Sequence, residues 1–187
     1  MLRWTTKLMR DEALMRRFAD GDMRAFEALY ARHKHALYQF VRRQCDIDAE
    51  CEEVVQDTWL AVVRTASTYQ VSAKFRTWLF RIAHNRLVDY WRSHGYSKRQ
   101  LMIELDETVH SAQTGSTPGD VSSPLVLTQL LTKLSELPEE QTETLLLRAA
   151  GFSYAEIATI TDSKQETVKS RLRYATQRMR VTAGVTS

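Results

Sequence analysis

The sequence predicts an all-α fold of two small helical bundles joined by a flexible linker, the C-terminal bundle containing a helix-turn-helix. Three observations carry that expectation. Apolar residues recur at i, i+3, i+4 spacing along several stretches, and no stretch shows the alternation of a half-buried strand. A segment rich in Gly, Ser, Thr and Pro divides the chain. It runs from His94 to Pro124 and holds Gly95, Gly115, Pro118, Gly119 and Pro124 among Ser111, Thr114, Ser116, Thr117, Ser122 and Ser123. Near the C-terminus, Ser153 with Glu156 and Ser163 with Glu166 each fit the S-x-x-E capping box, in which both side chains satisfy free helix N–H groups. The boundaries that follow are 1–94 for the first domain, 95–124 for the linker and 125–187 for the second domain.

Taken in order, a first helix is expected from Asp11 to Ala19. Phe26, Leu29, Tyr30, His33, Leu37, Phe40 and Val41 define the inward face of a second. Cys51, Val54, Val55, Thr58, Trp59, Val62 and Val63 do the same for a third, and Phe75, Trp78, Leu79, Ile82, Ala83, Leu87 and Tyr90 for a fourth. The linker has one short apolar-periodic piece, Leu101 to Leu105, and a net charge of −2. Beyond it come Leu127 to Leu134 and then a helix opened by Pro138 at its first position, running to about Ala150. Two segments complete the set, Phe152 to Ile160 and Glu166 onward. Asp162 suits the turn between them because Asp tolerates a left-handed backbone.

Charge is distributed unevenly although its sum is only +3. Residues 46 to 57 carry six acidic side chains (Asp46, Asp48, Glu50, Glu52, Glu53, Asp57) and no basic one. Residues 64 to 92 carry six basic ones (Arg64, Lys74, Arg76, Arg81, Arg86, Arg92) against Asp89 alone. From Lys164 to Arg180 six Lys/Arg face one acidic residue, a local balance of +5. One acidic and two basic surfaces suggest a protein partner as well as a polyanion. No apolar run approaches the roughly 20 residues that span a bilayer, and the N-terminus lacks a signal-peptide core. A soluble, cytoplasmic protein without membrane insertion is expected. Cys45 and Cys51, six apart with no His beside them, do not match a zinc site, and Cys51 falls on an apolar helical face.

Two segments carry the functional chemistry. On the last helix Val168, Leu172, Ala175 and Met179 share an inward face, which leaves Glu166, Lys169, Ser170 and Arg173 outward. An exposed basic helix ending a helix-turn-helix suits the major groove, where Arg and Lys reach guanine edges and phosphates. On the fourth helix Phe80, His84 and Trp91 lie off the core stripe, among Arg76, Arg81, Asn85 and Arg92. Interleaved aromatic and Arg side chains can stack unpaired bases beside phosphate contacts, or the aromatic ones can pack on neighbouring helices; the pattern leaves both open. Enzyme motifs are absent, as are metal spacings among His33, His35, His84, His94 and His110, so neither catalysis nor a cofactor is expected.

The run Phe75-Arg76-Thr77-Trp78-Leu79-Phe80-Arg81-Ile82-Ala83-His84-Asn85-Arg86-Leu87-Val88-Asp89-Tyr90-Trp91-Arg92 resembles the promoter-melting segment of bacterial RNA polymerase sigma factors of the extracytoplasmic-function (ECF) group. Glu53-Val54-Val55-Gln56-Asp57-Thr58-Trp59 is similar to that family's polymerase-gripping segment, and Asp22 to Tyr30 to its opening helix. Leu137-Pro138-Glu139-Glu140-Gln141 and Thr167-Val168-Lys169-Ser170-Arg171-Leu172 resemble its C-terminal domain. The likeness covers about residues 10 to 94 and 125 to 180, in the family's order.

The resemblance implies a non-catalytic transcription-initiation and stress-response regulator. It would bind core RNA polymerase (the β′ coiled coil and β) and promoter DNA, and an anti-sigma factor would restrain it. It further implies that Glu53, Gln56, Asp57 and Leu60 meet the polymerase. Lys74, Arg76, Trp78, Arg81, His84, Asn85, Trp91 and Arg92 would recognise and melt the −10 element, with the loop Tyr69 to Lys74 cradling an extruded base. Within the helix-turn-helix over 153–174, Lys164, Glu166, Thr167, Lys169, Ser170, Arg171 and Arg173 would contact the −35 element. Many relatives carry glycine where Glu166 stands and an apolar residue or cysteine where Ser163 stands, so upstream base preference is the least transferable part. The rival reading is a plain helix-turn-helix repressor or activator, which leaves the aromatic-basic helix and the acidic stretch without a task.

Overall fold

The computed structural model describes residues 9–71, 73–94, 132, 134 and 136–181. Among these there are seven α-helices and no strand: α1 (Asp11–Ala19), α2 (Met23–Arg42), α3 (Asp48–Arg64), α4 (Phe75–His94), α5 (Glu139–Ala149), α6 (Tyr154–Ile160) and α7 (Gln165–Val181). A single 3-10 turn, Ala66–Thr68, follows α3. The all-α expectation holds, and α1 has the bounds that the sequence predicts. The linker 95–124, with its apolar-periodic piece Leu101 to Leu105, and Leu127 to Leu134 except positions 132 and 134 lie outside the described residues.

Helices α1 to α4 form the first bundle around Leu14, Met15, Leu29, Leu37, Phe40, Val41, Cys51, Val62, Phe75, Leu79, Ala83 and Leu87. The spacing of these residues puts each set on one helical face, so their burial is the main drive to assembly, at about 25 cal/mol per Å² of apolar surface. Two apolar positions lie further out than the spacing suggests. Tyr30 is exposed along one edge while its ring meets Trp59 edge-on at 5.0 Å, and Val63 is exposed at the end of α3. Both sit at the margin of their stripe. Cys45 and Cys51 are free and buried, and burial pushes the Cys51 thiol pKa up.

Glycines with positive φ end α1 and α5. At Gly21 (φ 98) and Gly151 (φ 90) the next residue's N–H reaches back across the helix end, Asp22 to the Arg17 carbonyl at 2.9 Å and Phe152 to the Leu147 carbonyl at 3.2 Å. This is the Schellman closure, which a left-handed residue permits. The second closure aims Phe152 out of its own bundle. Pro138 precedes α5 as its N-cap (ψ 143) rather than occupying the first helical position, with its carbonyl accepting from Thr142 N–H at 3.0 Å. An extended ψ at proline is compatible with its fixed φ, so the helix starts one residue later.

The helix-turn-helix is formed by α6 and α7. Ser153 and Glu156 make the expected capping box. Asp162 holds φ 48, the left-handed turn residue expected between the two helices. The second capping box does not form. Helix α7 begins at Gln165, the first backbone bond runs from Val168 N–H to the Lys164 carbonyl, and Ser163 Oγ shares a hydrogen bond with Thr161 Oγ1 at 2.9 Å. Glu166 instead accepts from Lys169 Nζ at 2.7 Å. The turn at Asp162 delays the helix by one residue and leaves Ser163 outside capping reach. Val168, Leu172 and Ala175 are buried and Met179 half-buried on the inward face of α7.

The two bundles share one core. Phe80 of α4 is wholly buried between Phe40 of its own bundle (ring centroids 5.1 Å) and Phe152 of the other (4.9 Å). Helix α4 therefore buries two stripes, one in each bundle.

Candidate functional site

The start of α4 is fixed from a distance. Glu12 on α1 accepts the Phe75 N–H through Oε1 at 2.9 Å, so a carboxylate 63 residues earlier caps the helix that carries Arg76, Arg81, Arg86 and Arg92. An anion there also opposes the positive end of the helix dipole. Nearby, His33 Nε2 lies 2.8 Å from Asp11 Oδ2, and this hydrogen bond holds the Asp11 carboxyl below its usual pKa. In the loop before α4, Tyr69 meets Trp78 edge-on at 4.9 Å, and burial raises the Tyr69 hydroxyl pKa.

Eight residues of the α4 region are expected at DNA, and they divide into three groups. Arg81, Asn85 and Arg92 are exposed and make no hydrogen bond or ion pair with another described residue. Trp78 and Trp91 are half-buried within the first bundle, where the Trp91 indole N–H donates to the Gln44 carbonyl at 3.2 Å. Lys74, Arg76 and His84 reach the second bundle. Lys74 Nζ meets Glu156 Oε1 at 3.0 Å, Arg76 Nη2 donates to the Ala150 carbonyl at 2.7 Å, and His84 Nδ1 lies 2.7 Å from Glu143 Oε1. Of the two uses open to the aromatic stripe, Phe80 and Trp91 take the packing one here.

The interdomain contacts have clear physical causes. The Ala150 carbonyl is one of the acceptors left over at the C-terminal end of α5, where a guanidinium is favourable. The Arg76 guanidinium also lies 4.2 Å from the Phe152 ring centroid, a cation–π arrangement. Glu143 is almost fully buried, and a carboxylate taken from water needs a donor such as His84 to offset desolvation. The Ser153 backbone N–H, with Lys74 adding to it, lowers the Glu156 carboxyl pKa to about 2. Each contact is worth on the order of 1 kcal/mol, so together they stabilise the packed arrangement by an amount that a tightly bound partner can exceed.

On α3, Glu53, Gln56, Asp57 and Leu60 are all exposed and follow i, i+3, i+4, i+7 spacing, which places them on one ridge. Leu60 is 47% exposed, and Val63 prolongs the ridge. An apolar pair ending an acidic ridge is a surface suited to a protein partner. The acidic stretch is not uniformly available: Asp48 pairs with Arg42 at 2.6 Å, and Glu50 hydrogen-bonds Tyr90. Lys164, just before α7, and Glu166, Thr167, Lys169, Ser170 and Arg173 on it are exposed. Arg171 differs, being partly buried with its guanidinium 3.0 Å from Glu140 of α5. Glu12, Glu143 and Phe152 are contributors that sequence reasoning missed. None belongs to a local motif, and only Phe152 had a signal, an aromatic residue directly after a helix-ending glycine.

A basic helix beside an acidic ridge, joined to a helix-turn-helix, defines a DNA-binding protein that also docks on another protein. Comparison with known proteins gives the family. Residues 29–96 match the Sigma-70 region 2 model and residues 127–179 the Sigma-70 region 4 model. The chain is 32% identical over 177 residues to the RNA polymerase sigma factor NccH of Alcaligenes xylosoxydans xylosoxydans, covering 92% of this chain and 93% of that one. It is 29% identical over 170 residues to the ECF RNA polymerase sigma-E factor of Escherichia coli (strain K12), covering 87% and 88%. Among solved structures it is similar to CnrH, in complex with the cytosolic domain of CnrY, with TM-score 0.69 and 26% identity over 95% of this chain and 99% of that one. The sigma factor RpoE of Bartonella quintana, in complex with the anti-sigma factor NepR, shares the fold, with TM-score 0.64 and 24% identity over 87% and 98%. The chain belongs to the extracytoplasmic-function group of bacterial RNA polymerase sigma factors. It is accordingly a factor that brings RNA polymerase to promoter DNA to initiate transcription. No described helix is long and apolar enough to cross a membrane.

Proposed function

We propose that three surfaces of this sigma factor divide its work. The ridge of Glu53, Gln56, Asp57 and Leu60 docks on the coiled coil of the polymerase β′ subunit, with β lying alongside. The observation that supports it is the exposure of all four side chains on one face of α3. Charge steers the encounter and the apolar end fixes the register.

Helix α4 recognises and melts the −10 element through Lys74, Arg76, Trp78, Arg81, His84, Asn85, Trp91 and Arg92. Asn85 offers both a donor and an acceptor to a base edge, while Arg76, Arg81 and Arg92 hold phosphates. Base extrusion costs a few kcal/mol of lost stacking, which contacts around the loop from Tyr69 to Lys74 offset. In the second domain Lys164, Glu166, Thr167, Lys169, Ser170, Arg171 and Arg173 meet the −35 element, and segment 95–124 threads the polymerase as a linker. The protein works in the cytoplasm without a cofactor and without catalysis of its own. An anti-sigma factor restrains it, a proposal supported by the structural likeness to CnrH bound to the CnrY cytosolic domain.

The alternative, a repressor or activator working alone, is separated by a gel shift. A sigma factor shifts promoter DNA strongly only with core polymerase, whereas a repressor shifts it unaided. Strong, specific binding by the free chain would overturn the proposal.

A further inference from the structure

We propose that Tyr174 is a specificity-determining residue of the helix-turn-helix, reading the 5-methyl group of a thymine in the −35 element. The inference deepens the assignment of α7 to that element and rests on it. Tyr174 is the most exposed aromatic side chain among the described residues, at 50%. A singly exposed ring is ordinary on a protein surface; its place on α7 is what sets this one apart. Positions 167, 170 and 174 follow i, i+3, i+7 spacing, so the ring continues the track of Thr167 and Ser170, both exposed. Val168, Leu172 and Ala175 are buried on the other side of the helix. A helical side chain leans toward the N-terminus and covers the turn before it. For Tyr174 that turn holds Ser170, whose small side chain leaves the ring room to reach back toward the half of α7 that meets base edges.

The chemistry around the ring selects its partner. Lys169 is tied to Glu166 at 2.7 Å and Arg171 to Glu140 at 3.0 Å. Arg173 instead turns its guanidinium to the ring, 5.1 Å from the centroid, and its Nη2 donates to the Tyr174 hydroxyl at 3.4 Å. That contact leaves the other guanidinium N–H groups for a base or a phosphate. It also holds a flexible arginine beside a stiffer side chain. What remains open on Tyr174 is the apolar ring, and the major groove offers one apolar group, the C5-methyl of thymine. Successive base pairs are about 3.4 Å apart along the duplex axis. A guanidinium and a ring 5.1 Å apart therefore reach bases one or two steps apart. Arg173 and Tyr174 read neighbouring positions, one by a hydrogen-bonding edge and the other by a methyl group.

The test uses the holoenzyme, the full chain with core RNA polymerase, in competition gel shifts on a duplex promoter that it transcribes. Each thymine of the −35 element, on either strand, is replaced singly by deoxyuridine, which removes the methyl group and nothing else. The wild type should lose about fourfold in affinity at one position, the transfer free energy of one methyl group. That position should lie within two base pairs of the one that Arg173→Ala relaxes. Tyr174→Ala should bind the unmodified promoter more weakly by a similar factor and be indifferent to deoxyuridine there. Tyr174→Phe, which keeps the ring, should keep the sensitivity. A Tyr174→Ala protein that still loses affinity on methyl removal overturns the thymine contact and leaves the ring only a support for Arg173. A wild type with no methyl-sensitive position overturns it as well. Scrambling the −35 element separates the two readings. If scrambling weakens binding while methyl removal does not, the role of Tyr174 alone fails; if scrambling has no effect, the assignment of α7 fails with it.

Discussion

Glu12 caps Phe75. The carboxylate of α1 accepts the first N–H of α4 at 2.9 Å, so the helix assigned to promoter opening takes its starting point from the first helix of its bundle. Removing an N-cap costs ~1 kcal/mol, within a range of about 0.5–2. Glu12→Ala should lower the unfolding free energy by that amount in urea titration with an unchanged slope. It should also reduce open-complex formation more than core binding, because the loop from Tyr69 to Lys74 loses its anchor. Equal loss of both activities would mean that Glu12 acts only on global stability.

Asn85→Ala should spare core binding and reduce opening of a duplex promoter. A pre-melted bubble template should restore much of the activity, since the cost of opening is then already met. Equal defects on duplex and bubble would remove Asn85 from strand separation.

For the helix-turn-helix, Arg173 is exposed, with its guanidinium against the neighbouring Tyr174 ring at 5.1 Å. Arg173→Ala should cost ~1–3 kcal/mol at the −35 element and relax preference at one base pair. Arg171 already pairs with Glu140, so Arg171→Ala should weaken all promoters alike and lower the salt slope by about one unit, with a small loss of domain stability. A uniform effect of Arg173→Ala across −35 variants would make it a phosphate contact, leaving base reading to Glu166, Lys169 or Ser170.

Acid should loosen the protein at Glu156. Its folded pKa of about 2 lies below the ordinary 4.5. The stabilisation is therefore complete above the ordinary value and is lost as pH falls through about 2. Allowing for solvent around the carboxylate, the loss is on the order of 1 kcal/mol between about pH 5 and pH 2. Protonation also releases Lys74, so the domains should separate as the capping box weakens. A Glu156→Gln protein whose stability falls as steeply over that range as the wild type would assign the effect to other carboxylates.

Local patterns made the helices, the first capping box, the left-handed Asp162 and the exposed ridge of α3 readable in the sequence. Each depends on residues within a few positions of one another, where periodicity and cap chemistry act directly. Position 163 misled because a capping box can be written one residue away from where the turn lets the helix begin. The second stripe of α4 was visible as a set of aromatic residues, but its occupant was not. Phe80 meets Phe152, and His84 meets Glu143, 59 residues on, and no local rule connects such positions. Glu12 was invisible for the same reason.

The most direct measurement is run-off transcription on genomic promoter fragments with purified core RNA polymerase, comparing the wild type with Asp57→Arg. The wild type should give defined transcripts that need both the protein and core enzyme. Asp57→Arg, with helical content intact, should lose them together with co-purification of the polymerase, because reversing a charge at a charged interface commonly costs several kcal/mol. Full transcription and co-purification by the Asp57→Arg protein would contradict the assignment of the α3 ridge to the polymerase. Failure of the wild type to direct any promoter-specific transcript would contradict the account as a whole.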